Sequence, residues 1–257
     1  MSALRRSVAV AVAVAAALPV MAAAPARAPG PVPKVEGVFF SGAWEDPNPQ
    51  ELLPAPGAPP VKRVVIPPAP LNAKAQAEVA ARRQAQQQNR PTELSGGAAC
   101  MPGGFPGMMG PVFPLEVLQS PGQVTIIAEA FAQIRRIYLN EKQIAFEDAE
   151  PLFWGHSVGH WEGNTLVVNT IGLKDSVRVG GAPHSPQMQI NERITVTSAD
   201  TFEDQITVID PEYLTGPWTW TYQYVRRKDY KINEYVCEDN RLYLDPATGQ
   251  QKLRLGE

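Results

Sequence analysis

Three histidines, His156, His160 and His184, are the side chains of this sequence best suited to move a proton near neutral pH. Their natural partner is Glu192. It sits in an alternating run, Met188–Thr197, whose one face is Met188, Ile190, Glu192, Ile194 and Val196. The other face, Gln189, Asn191, Arg193, Thr195 and Thr197, is polar. An inward carboxylate on an apolar face must be paired or carry a raised pKa. Two roles remain open for Glu192: the acid–base partner of a histidine, or half of a buried pair with an arginine. Arg135 and Arg136 are adjacent, so a strand turns one inward and one outward. With Glu129 they complete the charged set, as an anion-stabilising group or as a structural Arg–Glu pair.

The spacing of His156 and His160 invites a zinc reading with His184, and strand geometry opposes it. Residues four apart on a strand lie roughly 13 Å apart. A helix would bring them together, but Gly155, Gly159 and Gly163 make one improbable. Met101, Met108 and Met109 suit Cu(I) chemically, yet flanking glycines give no rigid ligand frame and Met is a pliable filler. No metal ligand set and no cofactor is expected. A P-loop and a dinucleotide fingerprint are both missing from the sequence. What remains is an aromatic stripe at period two, Trp218, Trp220, Tyr222 and Tyr224. It reads as core, or as the wall of a site for a flat, apolar ligand.

These residues have to be positioned by strands. Leu115–Gln119, Gln123–Phe131 and Gln133–Leu139 alternate in succession. His156–Trp161 and Thr165–Ile171 flank the turn Glu162-Gly163-Asn164. Met188–Thr197 and Phe202–Ile209 flank a second turn, and Trp218–Val225 and Asn233–Glu238 a third. The expected fold is mainly β: an antiparallel up-and-down meander closed as a lipocalin-like barrel, because closure removes the exposed edges of such a sheet. An open sheet clasped by the N-terminal arm is the alternative.

Twenty-six prolines among 257 residues cluster before residue 122, so the front of the chain is not regular throughout. Residues 1–26 read as a signal peptide: Arg5 and Arg6, the apolar run Ser7–Val20, then Ala24-Pro25-Ala26. That run is shorter than the ~20 residues of a bilayer span, and no later segment is apolar enough to cross. Residues 27–94 form a Pro-rich arm containing one short apolar run, Gly37–Trp44, and one helix, 72–88, capped by Asn72 and stopped by Pro91. The barrel domain is expected over 95–245 and a tail over 246–257. Removal of Arg5 and Arg6 leaves 21 basic against 26 acidic residues, a balance of −5 that argues against a nucleic-acid partner. The two cysteines, Cys100 and Cys237, read as one disulfide in an exported protein, with two buried thiols as the alternative. Such a bridge stabilises by roughly 4 kcal/mol in the chain-entropy model.

The segments SPGQVTIIAEAF, QIRRIY, WGHSVGHWEGNTLVVNTIG, HSPQMQINERI and NEYVCEDNR together resemble a family of exported bacterial proteins that share the block W-G-x-S-x-G-x-W-E-G-D-T-L-V-V-x-T. The resemblance spans about residues 95–240. This chain carries Asn164 and Asn169 where that pattern has Asp. The resemblance implies export, a strand-rich core and the disulfide, and no particular reaction.

Two functions follow. The first is a periplasmic or secreted barrel binding a small apolar or aromatic ligand, with Trp218, Trp220, Tyr222, Tyr224, Glu129, Arg135 and Arg136 as the ligand-binding set. The second is a cofactor-independent lyase, isomerase or hydrolase using His156, His160 or His184 with Glu192. An envelope-assembly role for the arm ranks third.

Overall fold

The computed structural model describes residues 33–41, 64–88, 100–110, 113–237, 242–244 and 251–253. The expected signal peptide and residues 89–99 lie outside them. Nine strands close into a barrel in chain order: β1 (Gly37–Ser41), β2 (Leu115–Ser120), β3 (Gln123–Ala128), β4 (Gln133–Leu139), β5 (His156–Glu162), β6 (Thr165–Ile171), β7 (Gln189–Ser198), β8 (Thr201–Ile209) and β9 (Trp218–Arg226). The mainly β, closed-barrel expectation therefore holds, with differences that have physical reasons.

One is direction. Every neighbouring pair is antiparallel except β4 and β5, which run parallel with Ile137 opposite Ser157 and Leu139 opposite Gly159. An odd number of strands cannot alternate direction all the way round a ring, so one parallel junction is obligatory. The segment 140–155 is the crossover that returns the chain to the end where β4 began.

The origin of the ninth strand is another. β1 comes from the Pro-rich arm, ahead of the expected barrel boundary at 95. It pairs with β2 (Phe39 opposite Leu115) and with β9 (Phe39 opposite Arg226). The short apolar run GVFF is therefore the stave that closes the ring, and Phe39 is fully buried there. The expected hairpin between Trp218–Val225 and Asn233–Glu238 does not form. β9 takes β1 as its second partner, and the chain after it runs without strand structure to Cys237. Glu129 ties that segment down, accepting from Tyr230 Oη at 2.9 Å and from the Asn233 amide at 2.9 Å. A separate two-stranded hairpin joins β10 (Leu242–Leu244) to β11 (Gln251–Leu253).

The tight turn between β5 and β6 has only Gly163 and Asn164 between the paired Glu162 and Thr165, with Gly163 at φ +62°. That positive φ is what a two-residue hairpin needs and what a Cβ resists. The helix α1 (Ala73–Gln87) begins where expected: Asn72 Oδ1 accepts from the Ala75 amide at 3.0 Å. The same residue donates to the Glu212 carbonyl at 2.7 Å, pinning the helix start to the loop before β9. Only Ala75 of the helix is buried, so it packs on the outside. Cys100 and Cys237 are bonded, with Cα atoms 5.5 Å apart across a separation of 137 residues.

Candidate functional site

Alternation sorts the barrel wall into an inner and an outer face. Inward on β4 are Gln133, Arg135 and Ile137, on β5 Ser157 and Gly159, on β7 Ile190, Glu192 and Ile194, on β8 Phe202, Asp204, Ile206 and Val208. The β9 stripe of Trp218, Trp220, Tyr222 and Tyr224 is also inward and buried.

A polar cluster occupies the barrel centre. Arg135 Nη1 donates to Glu192 Oε1 at 2.8 Å, and Nη2 donates to Oε2, so the pair is bidentate. Arg135 also donates to Ser157 Oγ (3.1 Å) and to Thr170 Oγ1 (3.0 Å), and those two hydroxyls share a 2.8 Å hydrogen bond. The Phe105 ring covers the guanidinium at 3.7 Å. Both charged side chains are sealed from solvent. Of the two roles open to Glu192, the structure fills the ion pair. Arg135 is the inward arginine and Arg136 the outward one.

A loop, residues 100–110, crosses one mouth of the barrel. It is held by the disulfide, by Gly104 N donating to Gln133 Oε1 (3.1 Å), by Phe105 N donating to the Phe153 carbonyl (2.8 Å), and by Tyr224 Oη donating to the Met109 carbonyl (2.7 Å). Between this loop and the β9 stripe lies a cavity of about 380 Å³. Its walls are Trp218, Trp220 and Tyr222 from β9, Met108 from the loop, and Phe131 and Gln133 from the start of β4. That volume falls within the range of small-molecule sites. Gly180 contributes a wall at φ +55°, where a Cβ would come 2.5 Å from the Trp218 ring. Glycine there lets the backbone lie flat on the indole. Phe131, at φ +59°, holds the left-handed backbone that non-glycine residues seldom adopt.

Asp204 stands apart from the satisfied centre. It is completely buried, and neither carboxyl oxygen has a hydrogen-bond partner among the described residues. Burial pushes its pKa well above the usual carboxylate value, the neighbouring Glu192 adds to the rise, and Arg135 opposes it. Burial also pushes Tyr222 up to about 12, opposed by the Trp220 indole N–H and reinforced by Asp204. Tyr224 is raised by burial and the same acidic neighbours.

The histidines do not join this interior. His156 and His160 lie on the outer face of β5. His156 Nε2 is 2.9 Å from the Glu150 carbonyl, and with Arg136 it lines a groove of about 350 Å³ on the barrel exterior. His160 meets Glu162 at 3.3 Å in solvent, and Glu162, hydrogen-bonded by Arg193 and His160, has its pKa lowered. His184 is buried in the loop before β7, its ring nitrogens 3.1 and 3.0 Å from the carbonyls of Ser185 and Lys174. The expected His–Glu acid–base pair is therefore not assembled: Glu192 faces inward and is held by Arg135, and strand alternation turns His156 and His160 away.

Of the expected ligand-binding residues, Trp218, Trp220 and Tyr222 line the cavity. Tyr224 is core, stacked on Phe202 at 4.4 Å. Arg135 lies in the centre, Arg136 outside, and Glu129 ties the segment after β9. Sequence reasoning missed Phe131, Gln133 and Asp204, and it read Met108 as a pliable filler. Asp204 carries the same signal that marked Glu192, a lone carboxylate within an inward apolar alternation. Phe131 and Gln133 owe their place to an irregular turn that no periodicity marks.

No family model matches the chain, and no curated protein matches it. Solved structures of the fluorescent protein UnaG, in wild-type form and as two single-site mutants, align with 14–15% identity. For the wild type the alignment covers 44% of this chain and 72% of UnaG, with a TM-score of 0.26. The barrel assignment rests on the strand pairing itself.

Proposed function

We propose that this protein is an exported barrel that binds one small, largely apolar or aromatic molecule at its mouth. The observation that carries the reading is the 380 Å³ cavity walled by Trp218, Trp220, Tyr222 and Met108. Filling it removes aromatic surface from water on both partners. Export is supported by the leader-like residues 1–26, by the resemblance of the WEGNTLVV segment to exported bacterial proteins, and by the disulfide, a bond that persists in oxidising compartments.

Equilibrium dialysis with naphthalene tests the cavity. Burial of a two-ring hydrocarbon, about 6 kcal/mol, gives one site with a dissociation constant on the order of 10–100 µM. Trp218→Ala should weaken it about tenfold by removing one wall. Absence of binding, or affinity indifferent to that substitution, would refute the reading.

A further inference from the structure

We infer that the ligand of the mouth cavity is an anionic amphiphile: its apolar body fills the cavity, and a short chain carries a carboxylate across to Arg83 on α1. This names the ligand class of the site proposed above and rests on that reading.

The helix that supplies Arg83 faces the barrel against the usual pattern. A surface helix normally turns its apolar stripe to the protein body. Val79, Arg82, Arg83 and Gln86 stand at i, i+3, i+4 and i+7, so they form one stripe of α1. All four line a groove of about 550 Å³ whose other wall includes Gly180 and Pro68. Ala75, the one buried residue of α1, lies a turn ahead of Val79 on the same stripe. The helix thus rests on the barrel at its first turn and presents two arginines to the groove beyond it. That placement is fixed: Asn72 N donates to the Tyr213 carbonyl at 2.9 Å, Thr215 N donates to the Pro70 carbonyl at 2.8 Å, and Lys74 Nζ meets Glu212 Oε2 at 3.2 Å. A helix that buries one alanine adds little to the core, so these ties hold in place a stripe that the core does not use.

Groove and cavity adjoin. Gly180 lines both. In the segment before α1, Ile66 lines the cavity and Pro68 the groove, and the Pro67 carbonyl between them accepts from Trp218 Nε1 at 2.8 Å. The divide is therefore the line Pro67–Trp218–Gly180. Pro67 and Gly180 are exposed, which makes it a surface ridge that a flexible chain can cross.

Charge decides the chemistry of the head. The groove is lined by two cations and no carboxylate, in a chain of formal net charge −3. Glu78, the only acid of α1, does not line it. Arg83 is exposed and has no ion-pair partner among the described residues. A carboxylate that reaches it accepts two parallel hydrogen bonds from the guanidinium. A hydroxyl exchanges one neutral partner for another, and an ammonium is repelled.

The test is equilibrium dialysis of the full chain at pH 7 and low ionic strength against naphthalene, 2-naphthoate, 4-(2-naphthyl)butanoate and the matching butanol and butylammonium. The butanoate should bind about fivefold tighter than the butanol, the scale of an exposed ion pair, and the butylammonium weaker than either. 2-Naphthoate has no chain to cross the ridge and should bind no tighter than naphthalene. Arg83→Gln should abolish the preference for butanoate over butanol while leaving naphthalene affinity in place, Arg83→Lys should keep most of it, and added salt should screen it. Equal binding of butanoate and butanol, tightest binding of the butylammonium, or a preference that survives Arg83→Gln would overturn the inference while leaving the cavity reading intact. If naphthalene itself fails to bind, the cavity reading falls, and the acid subsite with it.

Discussion

The barrel centre and the barrel mouth share strand β4 and solve opposite problems. At the centre, Arg135 meets Glu192, Ser157 and Thr170 and lies under Phe105, so its donors are engaged. At the mouth, the same face of β9 carries large aromatic rings against a loop, with a cavity between them. Satisfied polar groups fix one arrangement of the staves, whereas loosely filled aromatic space leaves capacity for a guest. The contrast locates structure at the centre and recognition at the mouth.

The largest expected effect breaks the centre. Arg135→Met leaves Glu192 buried and unpaired, and should cost about 3–5 kcal/mol in urea unfolding. Adding Glu192→Met should recover most of that loss, because the cost lies in the orphaned charge. Next comes the tether of the mouth. Replacing Cys100 and Cys237 by Ser removes a long cross-link and should cost roughly 4 kcal/mol, read in the same titration. Naphthalene binding should weaken with it, because the loop that roofs the cavity begins at Cys100.

A smaller effect separates the two regions by pH. The folded-state pKa of Asp204 lies well above its unfolded value near 3.8. Folding therefore takes up a proton between those two values, and stability falls as pH rises through that window. Asp204→Asn does not titrate. Its melting temperature should exceed that of the wild type at pH 8, with the gap closing towards pH 4. A gap that is constant with pH would mean that Asp204 is ionised in the folded protein. The smallest effect is expected outside the barrel. His156→Ala and His160→Ala should each change stability by no more than about 0.5 kcal/mol and leave naphthalene affinity unchanged.

How far the sequence discloses this depends on the kind of feature. Strand alternation marks Glu192 and the β9 stripe as inward, and divides Arg135 from Arg136, because period two is a property of the backbone. It puts His156 and His160 on one face of β5 but not on the outer one, since only the closed ring defines an inside. β1 is hard to read because five residues amid prolines carry little pattern, and the parallel β4–β5 junction follows from a strand count known only once β1 is included. The mouth is least legible. Met108, Phe131 and Gln133 meet through a loop and a left-handed turn, which are fixed by tertiary contacts rather than by local spacing.

The central claim is that the mouth cavity is where a small apolar molecule binds. Diffraction from crystals soaked in 2-bromonaphthalene tests it directly, through the anomalous signal of bromine. The account predicts one bromine site between Met108 and the rings of Trp218 and Trp220. Bromine found only in the outer groove beside Ile134, Tyr138 and Leu152, or at no ordered position, would contradict it.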